Sequence, residues 1–77
     1  MSVKRADEVI AKAIRRELRE DPSTAALHVH VEVRDGVAIL RGRADDLKDA
    51  DNAAEVALRV RGVRRVAEQL TLREPVA

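Results

Sequence analysis

Leu27-His28-Val29-His30-Val31-Glu32-Val33-Arg34-Asp35-Gly36-Val37-Ala38-Ile39-Leu40-Arg41-Gly42 is the stretch on which the fold turns. From Leu27 to Arg34 apolar and polar residues alternate without a fault, the two-residue period of a half-buried strand. Asp35-Gly36 is a preferred dipeptide for a two-residue type I′ turn, because both central positions need positive φ. That turn dictates the register. Arg34 falls opposite Val37, Val33 opposite Ala38, Val31 opposite Leu40 and Val29 opposite Gly42. Leu27, Val29, Val31, Val33, Ala38, Leu40 and Gly42 then share a core face. His28, His30, Glu32, Arg34, Val37, Ile39 and Arg41 share the other, where two β-branched aliphatics stand among polar neighbours.

Upstream, Val3, Ala6, Val9, Ile10, Ala13, Ile14 and Leu18 recur at steps of three and four, one stripe of an amphipathic helix over Val3 to Glu20. Asp7 and Glu8 near its start, and Arg15, Arg16 and Arg19 near its end, complement the helix dipole. Asp21-Pro22 stops it, since proline disfavours helical geometry in the residue before it. Downstream, a second helix is expected from about Asp46 to Arg61, with Asp45 or Asp46 as N-cap. Its buried stripe reads Leu47, Ala50, Ala53, Ala54, Ala57, Leu58 and Arg61 or Val60. Gly62 is placed as the C′ residue of a left-handed cap. Val63 to Leu72 reads as a third strand, with Val66, Leu70 and Leu72 on one face and Ala67, Gln69 and Thr71 on the other. Residues 73–77 form a short tail.

The pattern gives one α+β domain over 1–77 with its core at about 7–72. It is a two-layer α-β-β-α-β sandwich, with two helices on one face of a three-stranded mixed or antiparallel sheet. The third strand lies beside the second, or beyond the first.

Composition narrows the function. The 77 residues include 35 apolar and 29 charged ones, no cysteine and no aromatic. Without cysteine there is no disulfide framework, thiolate metal site or cysteine nucleophile. The longest apolar run, Val37 to Leu40, is far too short to span a membrane. Net charge is +1, which provides no long-range field for nucleic acid, and without aromatics there is no platform for base stacking. The Met start with no signal peptide points to a cytoplasmic product, or to the envelope if the chain is a piece of a longer one.

The α-β-β-α-β order combines with four further stretches. They are Asp35-Gly36-Val37-Ala38-Ile39-Leu40-Arg41-Gly42, then Ala53-Ala54 in a helix, then Arg61-Gly62-Val63-Arg64-Arg65-Val66 and Leu70-Thr71-Leu72. Together they resemble the BON domain, a small bacterial module named after osmotic-stress and nodulation proteins. The resemblance runs from Asp7 to Leu72. It implies a non-enzymatic module of envelope or membrane-associated proteins that binds phospholipid surfaces, with cation sensing in some members. Asp35, Gly36, Gly42, Gly62, Val63 and Val66 carry over as structural positions. This chain departs from the family at Glu68, where an Asn is common.

Three candidate features stand out. Arg59, Arg61, Arg64 and Arg65 place four guanidiniums around Gly62, a composition suited to a phosphate or headgroup; the plainer reading has Arg59 and Arg61 complementing the second helix's C-terminus. His28, His30 and Glu32 project from one strand face at metal-ligand spacing, but His30 faces the cation Arg41, so a solvated face is expected and no metal or cofactor. Val37 and Ile39 form a small aliphatic patch which, beside Ala67 and Thr71, would let two copies meet in a weak dimer. No Ser or Thr has a base beside it, so no catalytic residue is assigned.

The expected function is a binding or adaptor module contacting an anionic membrane surface or a protein partner. A cation (K⁺)-responsive module built on Asp45, Asp46 and Asp49 is the alternative. A KH-like nucleic-acid binder ranks below both, because the Gly-x-x-Gly loop is missing.

Overall fold

The computed structural model describes residues 3–72; the expected tail, Ser2 and the side chain of Val3 lie outside that description. In chain order the elements are α1 (Val3–Glu20), β1 (His28–Arg34), β2 (Val37–Ala44), α2 (Leu47–Leu58) and β3 (Arg65–Leu72). The fold is α+β. The three strands form one mixed sheet in the order β1-β2-β3, β1 antiparallel and β3 parallel to the central β2. Of the two placements the crossover allowed for the third strand, the one beside β2 is taken.

The hairpin register is the expected one at all four pairs. Asp35 and Gly36 both have positive φ, 50° and 80°, as a type I′ turn requires. Gly42 has φ of 135°, and a Cβ there would drive into the carbonyl oxygen of His28 on the paired strand. The position therefore admits glycine alone.

Both helices cover one sheet face, α1 against β1 and α2 against β3 and β2. Val31, Val33, Ala38 and Leu40 of the sheet meet Ala11, Ile14 and Leu18 of α1 and Ala53, Val56 and Ala57 of α2 in one aliphatic core. Small alanines on α2 let that helix sit close to the sheet without aromatic filler. The connection after α1 is pinned by Thr24, which is buried and donates its hydroxyl to the Leu18 carbonyl at 2.7 Å.

The helix stripes differ in part from expectation. Val9, Leu47 and Leu58 are exposed, while Ala11 and Val56 are buried. In α1 the inward row is Ala11, Ile14 and Leu18, which turns Val9 out to solvent. α2 begins after the N-cap Asp46, whose side chain accepts the Asp49 N–H at 2.9 Å. It ends at Leu58 with Arg59 as C-cap, earlier than Arg61, so Leu47 and Leu58 occupy its fraying end turns. Gly62 keeps positive φ, 100°, but lies past the cap, in a turn closed by Val63 N–H to the Val60 carbonyl. The third strand starts at Arg65 rather than Val63, after Arg64 N–H has bonded the Gly36 carbonyl.

Candidate functional site

The helices leave the opposite sheet face open. In a sheet, residues paired in register project to the same side, so this outer face is laid out in four rows. Arg34, Val37 and Arg65 form the row nearest the hairpin turn, followed by Glu32, Ile39 and Ala67; then come His30, Arg41 and Gln69, and last His28, Arg43 and Thr71. Val37, Ile39 and Ala67 are half-buried and mark an aliphatic centre.

Charge is concentrated here. Four arginines (34, 41, 43 and 65) stand against one carboxylate (Glu32), a net of three positive charges, whereas the whole chain carries +1. Glu32 is already shared, accepting from Arg34 Nε at 2.8 Å and from Arg41 Nη1 at 3.4 Å. Arg41 Nε also reaches the Gln69 side-chain oxygen at 3.3 Å, so a cross-strand network holds the guanidiniums over the sheet. Both arginines remain more than half exposed, so the network positions charge more than it neutralises it. Exposed pairs of this kind add little to stability.

Three of the four arginines around Gly62 have different neighbours. Arg59 turns to Asp21 at 3.6 Å, at the C-terminal end of α1. Asp21 also accepts the Ser23 hydroxyl at 2.6 Å and the Ser23 N–H at 2.9 Å. These two bonds, with Arg59 nearby, hold its carboxyl below the ordinary aspartate range. Arg64 lays its aliphatic stem across Gly36. Arg61 is exposed, and Arg65 alone joins the outer face. The structure gathers Arg65 instead with Arg34, Arg41 and Arg43 around the Val37 and Ile39 patch.

Strand alternation already puts Arg34 and Arg41 beside Val37 and Ile39 in the sequence. Only the placement of β3 next to β2 brings Arg65 and Ala67 alongside. His28 and His30 are exposed on the same face, with His30 opposite Arg41. Among the described residues no helix is long and apolar enough to cross a membrane.

A BON domain family model matches residues 6–74, nearly the whole chain. No curated protein matches it.

Proposed function

The chain belongs to the BON domain family, a family of non-catalytic binding modules, and from that premise we propose that it docks on anionic phospholipid surfaces through its open sheet face. The observation that carries this reading is the net of three positive charges around a half-buried aliphatic centre on a face that neither helix covers. Guanidiniums spread over one sheet face suit a layer of phosphate groups, which each can engage bidentately. With no aromatic residue in the chain, nothing wedges into the acyl region, and attraction is electrostatic. At about 1 kcal/mol per basic residue near an anionic leaflet, binding by one domain is weak and strongly salt-dependent.

A protein partner with an acidic face is the second reading. The Val37, Ile39 and Ala67 centre favours it, because a phospholipid headgroup layer makes little use of aliphatic surface while an interface core does.

Co-sedimentation with phosphatidylglycerol vesicles and with phosphatidylcholine vesicles, over a salt series, tests the first reading. Binding to the anionic vesicles alone, lost as salt rises, is expected. Reversing Arg43 and Arg65 to Glu should abolish it, whereas Arg61→Glu, off this face, should leave it intact. Equal binding to neutral vesicles, or none to anionic vesicles at low salt, would sink the membrane reading.

A further inference from the structure

Along the free edge of β1 lies a second surface, which borders the outer face and shares His30, Glu32 and Arg34 with it. β1 is an edge strand, bonded to β2 on one side only. In a two-residue hairpin the pair closing the turn exchanges both hydrogen bonds, and bonded pairs then alternate along the ladder. Arg34, Glu32, His30 and His28 therefore aim their backbone groups at β2. Val29, Val31 and Val33 aim theirs at the free edge. The structure bears this out at Val31, whose carbonyl accepts from Arg15 Nη2 of α1 at 3.4 Å.

The opposite edge is treated differently. On β3 the Leu70 N–H is taken up by Glu68 Oε1 at 2.6 Å. Natural sheets blunt free edges to prevent strand addition; here β3 is met at Leu70 by a carboxylate of its own strand, and β1 at Val31 by a guanidinium reaching across from α1 at the longer distance.

Beside the β1 edge runs a groove of about 850 Å³, floored by Ala11, Val31 and Val33 and walled by Lys4, Lys12 and Arg15 of α1. A smaller hollow of about 180 Å³ continues it past Arg15 toward Leu27 and Val29. Glu8 shares the wall, so its four charges leave a net of two positive. Of the other charges that line the groove, Asp7 is engaged by the turn N–H groups, Glu32 by Arg34 and Arg41, and Asp35 stands at the hairpin tip, so the lining as a whole is neutral and its positive excess is confined to Lys4, Lys12 and Arg15 of α1.

We propose that this groove accepts an extended acidic peptide, which adds to the β1 edge as a fourth strand. The backbone groups of Val29, Val31 and Val33 would hold the added strand, the mode known as β-augmentation. Arg15 acts as the placeholder. It occupies the Val31 carbonyl in the free protein, yields it to the incoming N–H, and turns to a peptide carboxylate. Lys4 and Lys12 are eight residues apart on α1, about 12 Å along the axis. In an extended chain at about 3.3 Å per residue that separation matches acidic residues four apart, which point to the same side. A second copy of this chain fits less well. Pairing β1 to β1 puts the two α1 helices side by side on one face, bringing Lys12 and Arg15 of each against like charges.

The probe is a blocked peptide, Val-Thr-Glu-Thr-Val-Thr-Glu-Thr-Val, titrated into ¹⁵N-labelled protein. The expected result is chemical-shift change along β1 and α1, with the Val29, Val31 and Val33 amides protected from hydrogen exchange when peptide is bound. Affinity should fall roughly five- to tenfold for Arg15→Glu, and similarly for Lys12→Glu, a solvent-exposed change that leaves the core untouched. The same peptide with Lys in place of Glu should bind at least as poorly. No shift at millimolar peptide would overturn the proposal, as would shifts centred on Ile39 and Ala67. So would equal binding of the Lys peptide, or concentration-dependent protection of the edge amides without peptide, which would indicate self-pairing. Vesicle binding is read at Arg43 and Arg65, which do not line the groove, so either surface can fail without the other.

Discussion

The carboxylate of Asp7 accepts the backbone N–H of Gly36 at 3.1 Å, and that of Asp35 at 2.9 Å, across 29 and 28 residues of sequence. An acid in the second turn of α1 thereby caps the tip of the hairpin. Hydrogen bonds to a charged acceptor contribute about 1.5–3 kcal/mol when well shielded, and less at this partly exposed site. Asp7→Ala should lower stability by about 1–2 kcal/mol, measured by urea unfolding followed by far-UV circular dichroism. Asp7→Asn, which keeps one acceptor, should lose less. Equal stability of Asp7→Ala and the parent would show the clamp to be idle.

Gly42 is the tightest point of the sheet. Alanine there combines an unfavourable φ with a clash against the His28 carbonyl. The expected loss for Gly42→Ala is on the order of 2–3 kcal/mol, a large share of the stability of so small a domain. A thermal melt close to that of the parent would contradict the close approach.

Thr24 ties the α1–β1 connection to the end of α1 through the Leu18 carbonyl. Thr24→Val keeps the shape but removes the donor and leaves a buried carbonyl without its side-chain partner. A loss of about 1–2 kcal/mol is expected, and Thr24→Ser, which restores the hydroxyl, should recover most of it. Chemical denaturation of the two variants side by side separates the bond from the methyl group.

Asp21 gives the fold a specific acid sensitivity. Its carboxyl is held down first by the Ser23 hydroxyl, then by the Ser23 N–H and by Arg59. A folded-state value below the unfolded one means the stabilisation is complete above the ordinary aspartate value of about 3.9 and disappears as pH falls through the depressed one. The stability gap between the parent and Asp21→Ala should accordingly be constant near neutrality and close in strong acid. A gap that widened on acidification would reverse the sign. Ser23→Ala should narrow it at neutral pH.

The hairpin was readable to the residue because a two-residue Asp-Gly turn leaves one register, and the alternation then assigns every side chain to a face. Helix faces were less legible. Alanine carries little hydrophobic signal, so the periodicity favours Val9 over Ala11, although Ala11, Ile14 and Leu18 are the buried row. Asp7 stands at the head of that row, at steps of four, three and four. An acid on an inward stripe was the available sign that it serves something other than the helix dipole. The candidate surface was half visible. Arg34, Arg41, Val37 and Ile39 follow from local alternation, whereas Arg65 and Ala67 depend on where a crossover returns the chain, which no local pattern encodes. Proximity in sequence does not give Arg59, Arg64 and Arg65 common neighbours: Arg59 meets Asp21, Arg64 lies over Gly36 and Arg65 pairs with Val37.

The parallel pairing of β3 with β2 gives the domain a mechanical axis. α1 begins near the hairpin tip, where Asp7 meets Gly36, while β3 leaves the sheet beside Ala44 at the far pole. Tension applied between those two points runs along the strands and loads the β2–β3 bonds in shear, all at once, instead of unzipping them one by one. A domain with a thin aliphatic core can thus resist pulling better than its thermal stability suggests.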